Sequence, residues 1–144
     1  MRFLPLVAFL VLAGCSAATD VLPTLPGAPA TPSGPTIDVS GTYDTTWGTM
    51  TLRQDAEGNL TGSYSGEEGA IEGTVSGNVL TGYWIEPQAN NTCSSTRNGS
   101  PHWGRIEFTF PSRQSFEGGY TDCANPMYNG GRFMGSEWVG TRTN

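Results

Sequence analysis

Residues 38–144 predict an all-β domain, an antiparallel meander closing into an eight-stranded up-and-down barrel, and three observations point there. Helical periodicity is absent. Short alternating segments recur roughly every 8–12 residues between clusters of Gly, Asn, Asp and Ser. A five-residue motif, apolar, any, Gly, any, aromatic or apolar, repeats as Val39-Ser-Gly41-Thr-Tyr43, Leu60-Thr-Gly62-Ser-Tyr64, Ile71-Glu-Gly73-Thr-Val75, Leu80-Thr-Gly82-Tyr-Trp84 and Phe116-Glu-Gly118-Gly-Tyr120. Side chains alternate across a strand, so its first, third and fifth positions share a face that is large, empty, large. Gly inside a strand costs stability, and its recurrence fits a sheet that coils sharply or leaves room for a neighbouring ring, as a narrow barrel requires. A two-sheet β-sandwich is the alternative.

The strands fall in order at residues 39–45, 48–54, 60–65, 70–75, 79–85, 105–110, 115–121 and 132–141. Residues 55–59, 66–69 and 76–78 are rich in types that accept the positive φ of tight hairpins, which gives three hairpins in sequence. In the sixth strand Ile106, Phe108 and Phe110 face inward, with Arg105, Glu107 and Thr109 outward. These strands are too short, and their outer face too polar, for the wall of a lipid-embedded barrel.

Ahead of the domain, Arg2 precedes an apolar run, residues 3–12, that closes on Leu12-Ala13-Gly14-Cys15. A positive start, an apolar centre and small residues before the cut resemble a bacterial lipoprotein signal peptide over residues 1–14. The resemblance implies cleavage before Cys15 and a diacylglycerol on its thiol. Since about ten apolar residues fall short of the ~20 that span a bilayer, the chain is anchored to the membrane rather than through it. In Gram-negative lipoproteins an Asp after the lipidated Cys tends to mark retention at the inner membrane. Ser16 stands there instead, so the resemblance favours the outer membrane, facing the periplasm.

Residues 15–37 read as a tether, with Pro23, Pro26, Pro29, Pro32 and Pro35 spaced at the three-residue turn of polyproline II. Extended at ~3.1 Å per residue, it would hold the domain up to roughly 70 Å from the lipid. The chain has 7 Arg, no Lys and 13 carboxylates; loss of Arg2 with the signal leaves a formal charge of −7. Nucleic acid and anionic lipid surfaces are poor partners for such a domain.

With Cys15 committed to lipid, Cys93 and Cys123 remain, each in a long polar loop (88–103 and 122–131), and in an oxidising envelope compartment they are expected to pair. No C-x-x-C spacing supports a redox role. His102 is the only histidine, no G-x-S-x-G elbow accompanies it, and it reads as a surface or loop-packing residue rather than a catalytic base. Glu67 and Glu68 are adjacent in a turn and point apart, which suits solvated charge rather than an acid/base pair. Asp55-Ala-Glu57-Gly-Asn59 lacks the glutamate that an EF-hand loop needs at its twelfth position, where Gly66 stands. No enzyme activity, cofactor or metal is expected. The aromatic load is heavier: Tyr43, Tyr64, Trp84, Tyr120 and Trp138, together with Trp47, either fill the barrel core or line a small-molecule pocket at one mouth.

The span from Gly41-Thr-Tyr43 to Asn59-Leu60-Thr-Gly-Ser-Tyr64 resembles the first three strands of avidin-type barrels in the calycin group, which carry a G-T-aromatic strand and a later L-T-G-x-Y strand. The resemblance covers about 24 of 144 residues. It places Thr49 near the family's biotin-contacting Ser and Tyr64 near its Tyr, while Thr45 replaces the Asn that contacts the ureido oxygen. In architecture and location the domain is also similar to the short barrels of bacterial envelope inhibitors. The expectation is a non-catalytic envelope lipoprotein whose barrel binds a small apolar or amphipathic ligand or a protein partner. The alternative is a structural or inhibitory interaction module with a solid barrel and an exposed apolar loop patch around Trp103 and Tyr128.

Overall fold

The computed structural model describes residues 36–143; the segment expected as a signal peptide (1–14), Cys15 and all but the last two residues of the expected tether (15–37) lie outside the described residues. Eleven strands follow in order: β1 (Gly41–Thr45), β2 (Gly48–Gln54), β3 (Asn59–Tyr64), β4 (Gly69–Ser76), β5 (Val79–Glu86), β6 (His102–Ser112), β7 (Ser115–Asp122), β8 (Tyr128–Asn129), β9 (Arg132–Phe133), β10 (Ser136–Glu137) and β11 (Gly140–Arg142). From β1 to β7 each strand pairs antiparallel with the next. β7 then pairs with β10 and β11, and β11 pairs with β1, so the ladder closes. This is a closed eight-stranded antiparallel up-and-down barrel, which leaves no place for the two-sheet sandwich.

β10 and β11 together make the eighth stave, interrupted at Trp138-Val139, where Trp138 N donates to Gly118 O (2.9 Å) and Thr46 N donates to Val139 O (3.2 Å). The single strand expected over 132–141 is thus corrected. Residues 132–133 leave the barrel and pair with β8 in a separate small hairpin. Its Phe133 ring covers Gly119 and Gly135, where a methyl group would lie within 2.7 Å of the ring. β6 also begins three residues earlier than expected, at His102. Near its end the register shifts between Thr109 and Ser112 around Pro111, which has no N–H to give the ladder.

Inside, the empty positions work in two ways. Gly69 and Gly104 are floors for rings: a Cβ on Gly69 would sit 2.1 Å from Tyr64 Cζ, and one on Gly104 2.5 Å from Trp84 Nε1. Both rings lie across the neighbouring strand, as the register pairs Tyr64 with Gly69 and Trp84 with Gly104. Gly73 and Gly82 instead face each other across β4 and β5, and a Cβ on Gly82 would meet Glu72 O at 2.1 Å and Gly73 Cα at 2.8 Å. Here the missing side chain admits backbone rather than a ring. Further inward positions are filled by Met50, Leu52, Leu60, Ile71, Val75, Leu80, Ile106, Phe108, Phe110 and Phe116, all buried. Each contributes about 1.5–3 kcal/mol of transfer free energy.

The two ends of the barrel differ. Before β1 the chain crosses the end where the β2–β3, β4–β5 and β6–β7 turns lie. Ile37 N donates to Gly77 O (2.9 Å), Val39 N donates to Gln54 Oε1 (3.0 Å), and Val39 is fully buried. Tyr43 completes this plug, its hydroxyl donating to Val39 O at 2.9 Å and its ring packed edge-on against Phe110 and Phe116. The chain therefore enters the barrel at its closed end.

Candidate functional site: the open mouth

At the opposite end, the β1–β2 turn, the β3–β4 turn, the loop after β5 and the end of β7 surround a cavity of about 550 Å³. Strand parity decides what faces it. In β5 the even residues Leu80, Gly82, Trp84 and Glu86 point inward, so the strand delivers an indole and, at its last residue, a carboxylate. Tyr64 ends β3 in the same way, Tyr120 and Asp122 end β7, Trp138 comes from the break in the eighth stave, and Trp47 stands in the β1–β2 turn. Glu67 and residues 88–91 complete the rim.

The rings meet at steep angles. Trp47 and Trp84 lie at 83° and 89° to Tyr120, and Trp138 at 83° to Tyr120 and 80° to Tyr64, with centroids 4.9–6.2 Å apart. Hydrogen bonds set the indoles: Trp84 Nε1 donates to Thr121 O (3.2 Å) and Trp138 Nε1 to Thr45 Oγ1 (3.1 Å). Behind them the Tyr64 hydroxyl donates to Glu86 Oε1 at 2.5 Å. Glu86 is 9 % exposed. Burial raises its pKa above the ordinary carboxylate value of 4.5, the Tyr64 hydrogen bond opposes this, and the charges of Glu67 and Asp122 add to the rise while His102 lowers it. Burial and then the Glu86 hydrogen bond push the Tyr64 phenol upward, so it remains a donor. No Arg lines the cavity among the described residues, and its three charged groups are all acidic.

Cys93 and Cys123 form a disulfide, Cα–Cα 5.4 Å, which ties the long β5–β6 loop to the end of β7 beside the mouth. That loop lies down over the outer face of the barrel. Arg97 stacks 3.3 Å above the Tyr83 ring and 5.2 Å from Trp103, and it pairs with Glu72 at 2.7 Å. Trp103 is consequently 6 % exposed, its Nε1 donating to Ser95 O. The expected exposed patch around Trp103 and Tyr128 is corrected in half: Tyr128 is 47 % exposed, its hydroxyl on Glu107, and Trp103 is covered by its own loop.

Of the five aromatics expected at a pocket, Tyr64, Trp84, Tyr120 and Trp138 line the mouth, whereas Tyr43 belongs to the plug at the far end. Thr49, placed by the avidin-type resemblance at a ligand contact, sits on the outward parity of β2 and is exposed; Thr45 anchors Trp138. His102 packs the loop, its Nδ1 2.6 Å from Asn91 O, and the nearby Ser100 hydroxyl donates to the carbonyl of Glu86 rather than to the imidazole. Asp55 Oδ1 accepts from the backbone N–H of Glu57 and Asn59, closing the β2–β3 turn. Among the described residues no cluster of His, Cys, Asp and Glu is arranged to hold a metal ion. Glu86 and Asp122 were not singled out in the sequence; continuing the even parity of the fifth strand by one residue would have found Glu86.

Comparison of the chain with protein-family models, with curated proteins and with solved structures finds no match.

Proposed function

We propose that this chain is an envelope lipoprotein, lipidated at Cys15, whose calycin-like barrel binds a small ligand non-catalytically at its open mouth. The observation that carries the reading is the cavity: about 550 Å³, walled by five buried or half-buried rings and three carboxylates, and set at the open end of an otherwise filled barrel. Its volume fits the usual small-molecule site, and its lining, five aromatic rings facing three carboxylates and the amides of Gln88, Asn90 and Asn91, suits an amphipathic ligand. The described chain supports the same reading: residue 37 joins the barrel at its closed end, so the entry to β1 does not obstruct the mouth.

The test has two arms. Intrinsic tryptophan fluorescence of the full chain is followed while a panel of cationic, neutral and anionic small molecules is titrated, and Trp47→Leu removes one reporter ring from the rim. Saturable changes lost in that variant are the expected result; a flat response across the panel overturns the binding reading. Membrane fractionation of Cys15→Ser, which is expected to move from the pellet to the soluble fraction, decides the anchor separately.

A further inference from the structure

Resting on the reading of the mouth as a ligand site, we infer that its ligand is an organic cation with a methylated ammonium head, recognised by ring faces and by the negative field of Glu67, Glu86 and Asp122.

Three observations lead there. The first is charge. Every ionisable side chain that lines the cavity and carries a formal charge at neutral pH is a carboxylate, and among the described residues no guanidinium lines it to neutralise them. Arg97, the arginine of the long β5–β6 loop, is held on the outer face by Glu72 and Tyr83. A cleft lined by one sign of charge concentrates counter-ions of the other.

The second is ring geometry. Trp47 and Tyr120, the half-buried rings of the mouth, meet edge to face at 83°, and an atom seated in their corner touches the face of at least one ring; Trp84 and Trp138 also stand edge-on to Tyr120 but are almost wholly buried. Ring faces carry the negative end of the aromatic quadrupole, and Trp is the strongest partner for a cation. A carboxylate or phosphate ligand would meet both the π-faces and the acidic groups with the wrong sign.

The third separates a methylated head from a bare ammonium. A strongly hydrated –NH₃⁺ needs strong acceptors to replace its water, yet the most deeply set carboxylate has one oxygen already committed to Tyr64, Glu67 and Asp122 stand exposed at the rim, and the other side-chain acceptors of the lining are the neutral amides of Gln88, Asn90 and Asn91. A trimethylammonium group gives up its water more readily and is held by ring faces with carboxylates at a distance.

Choline and its carbon isostere, with a tert-butyl group in place of trimethylammonium, have the same shape and differ in charge. Each is titrated into the full chain by calorimetry, in low and in high salt. Choline is expected to bind at least about tenfold more tightly than the isostere, and to weaken with salt. It is also expected to weaken in Glu67→Gln, an exposed substitution that leaves the fold intact, and in Trp47→Leu. Equal binding of the two, both lost in Trp47→Leu, would overturn the cation and leave the pocket standing. Choline binding unchanged in both variants would place the cation elsewhere and overturn the site. Absence of choline binding overturns the inference, and the wider panel then decides the pocket alone.

Discussion

Tyr64 reaches Glu86 across a strand that lies between them, and it does so because the strand carries Gly69 at the crossing. Tyr64 pairs in register with Gly69 on β4, and Ala70 pairs with Ile85 on β5, so Gly69 stands between the two side chains. With no Cβ in the way, the phenol lies over the glycine and its hydroxyl comes 2.5 Å from Glu86 Oε1. The result is a buried acid at the floor of the mouth, oriented by a donor and lying 9 % exposed.

This carboxyl links stability to pH. Its folded-state pKa is raised from 4.5, so the folded protein holds the proton more tightly than the unfolded chain. The stabilisation is complete below pH 4.5 and is lost as pH rises through the raised value. The groups facing Glu86 are Tyr64, Glu67, Asp122 and His102, and Glu67 and Asp122 deepen the effect once ionised. Glu86→Gln keeps an acceptor for Tyr64 and cannot ionise. Its urea midpoint should lie near that of the parent in acid and rise above it as pH increases. Asp38, Asp55 and Glu72, whose pKa values are lowered, lose stability as pH falls, but they are common to both proteins and cancel in the difference. Parallel midpoints across the range would show that Glu86 is not ionising in a buried site.

Gly69→Ala should break the same relationship by another route. The new methyl group would sit 2.1 Å from Tyr64 Cζ and 2.4 Å from its hydroxyl oxygen, so the ring must swing away. Overpacking of this kind costs about 1–3 kcal/mol. A Tyr64 hydroxyl left buried without its acceptor adds roughly 1–3 kcal/mol. In a Tyr64→Leu background the alanine should be nearly neutral, because the clash is gone. A cost that is the same in both backgrounds would mean that Tyr64 is not what Gly69 accommodates.

The contrast between Tyr43 and Tyr64 shows where reading the sequence stops. Both are the aromatic fifth position of the same glycine motif, and alternation assigns both to the interior. Parity gives the face of a strand but not the height along the barrel axis, which depends on the stagger of the whole ladder. Tyr43 accordingly lies at the plug and Tyr64 at the mouth. The β2 strand, 48–54, was legible to the residue because its alternation of Met50 and Leu52 with polar neighbours runs unbroken up to the turn residues at 55–59. The eighth stave was not, since its break at Trp138-Val139 and the β8–β9 hairpin are set by tertiary contacts with β7. Trp103 was hidden by a loop that folds back over an outer face, turning an outward position into a second small core with Ile85 and Cys93.

The disulfide should contribute mainly by restricting the unfolded chain. Cys93 and Cys123 are 30 residues apart, and closing such a loop is worth about 3–4 kcal/mol. The double variant Cys93→Ser/Cys123→Ser should lose close to that amount in urea unfolding while keeping the barrel's far-ultraviolet circular dichroism. Loss of less than about 1 kcal/mol would mean that the unfolded chain is already compact between these positions.

The final prediction concerns the facing glycines of β4 and β5. A Cβ at Gly82 would stand 2.1 Å from Glu72 O and 2.8 Å from Gly73 Cα, so a valine there collides with backbone rather than with a ring that can turn. The strands must separate to admit it, and hydrogen bonds of the ladder between them go with the spacing. Gly82→Val should therefore cost about 3 kcal/mol or more, at the upper end of overpacking effects. Thr81 is the neighbour on the exposed face and is already β-branched, so Thr81→Val should move stability by no more than about 0.5 kcal/mol. Urea midpoints of the two variants make the comparison within one strand. Equal midpoints would mean that β4 and β5 do not approach each other closely at Gly73 and Gly82, and that the barrel is wider there than the facing glycines allow.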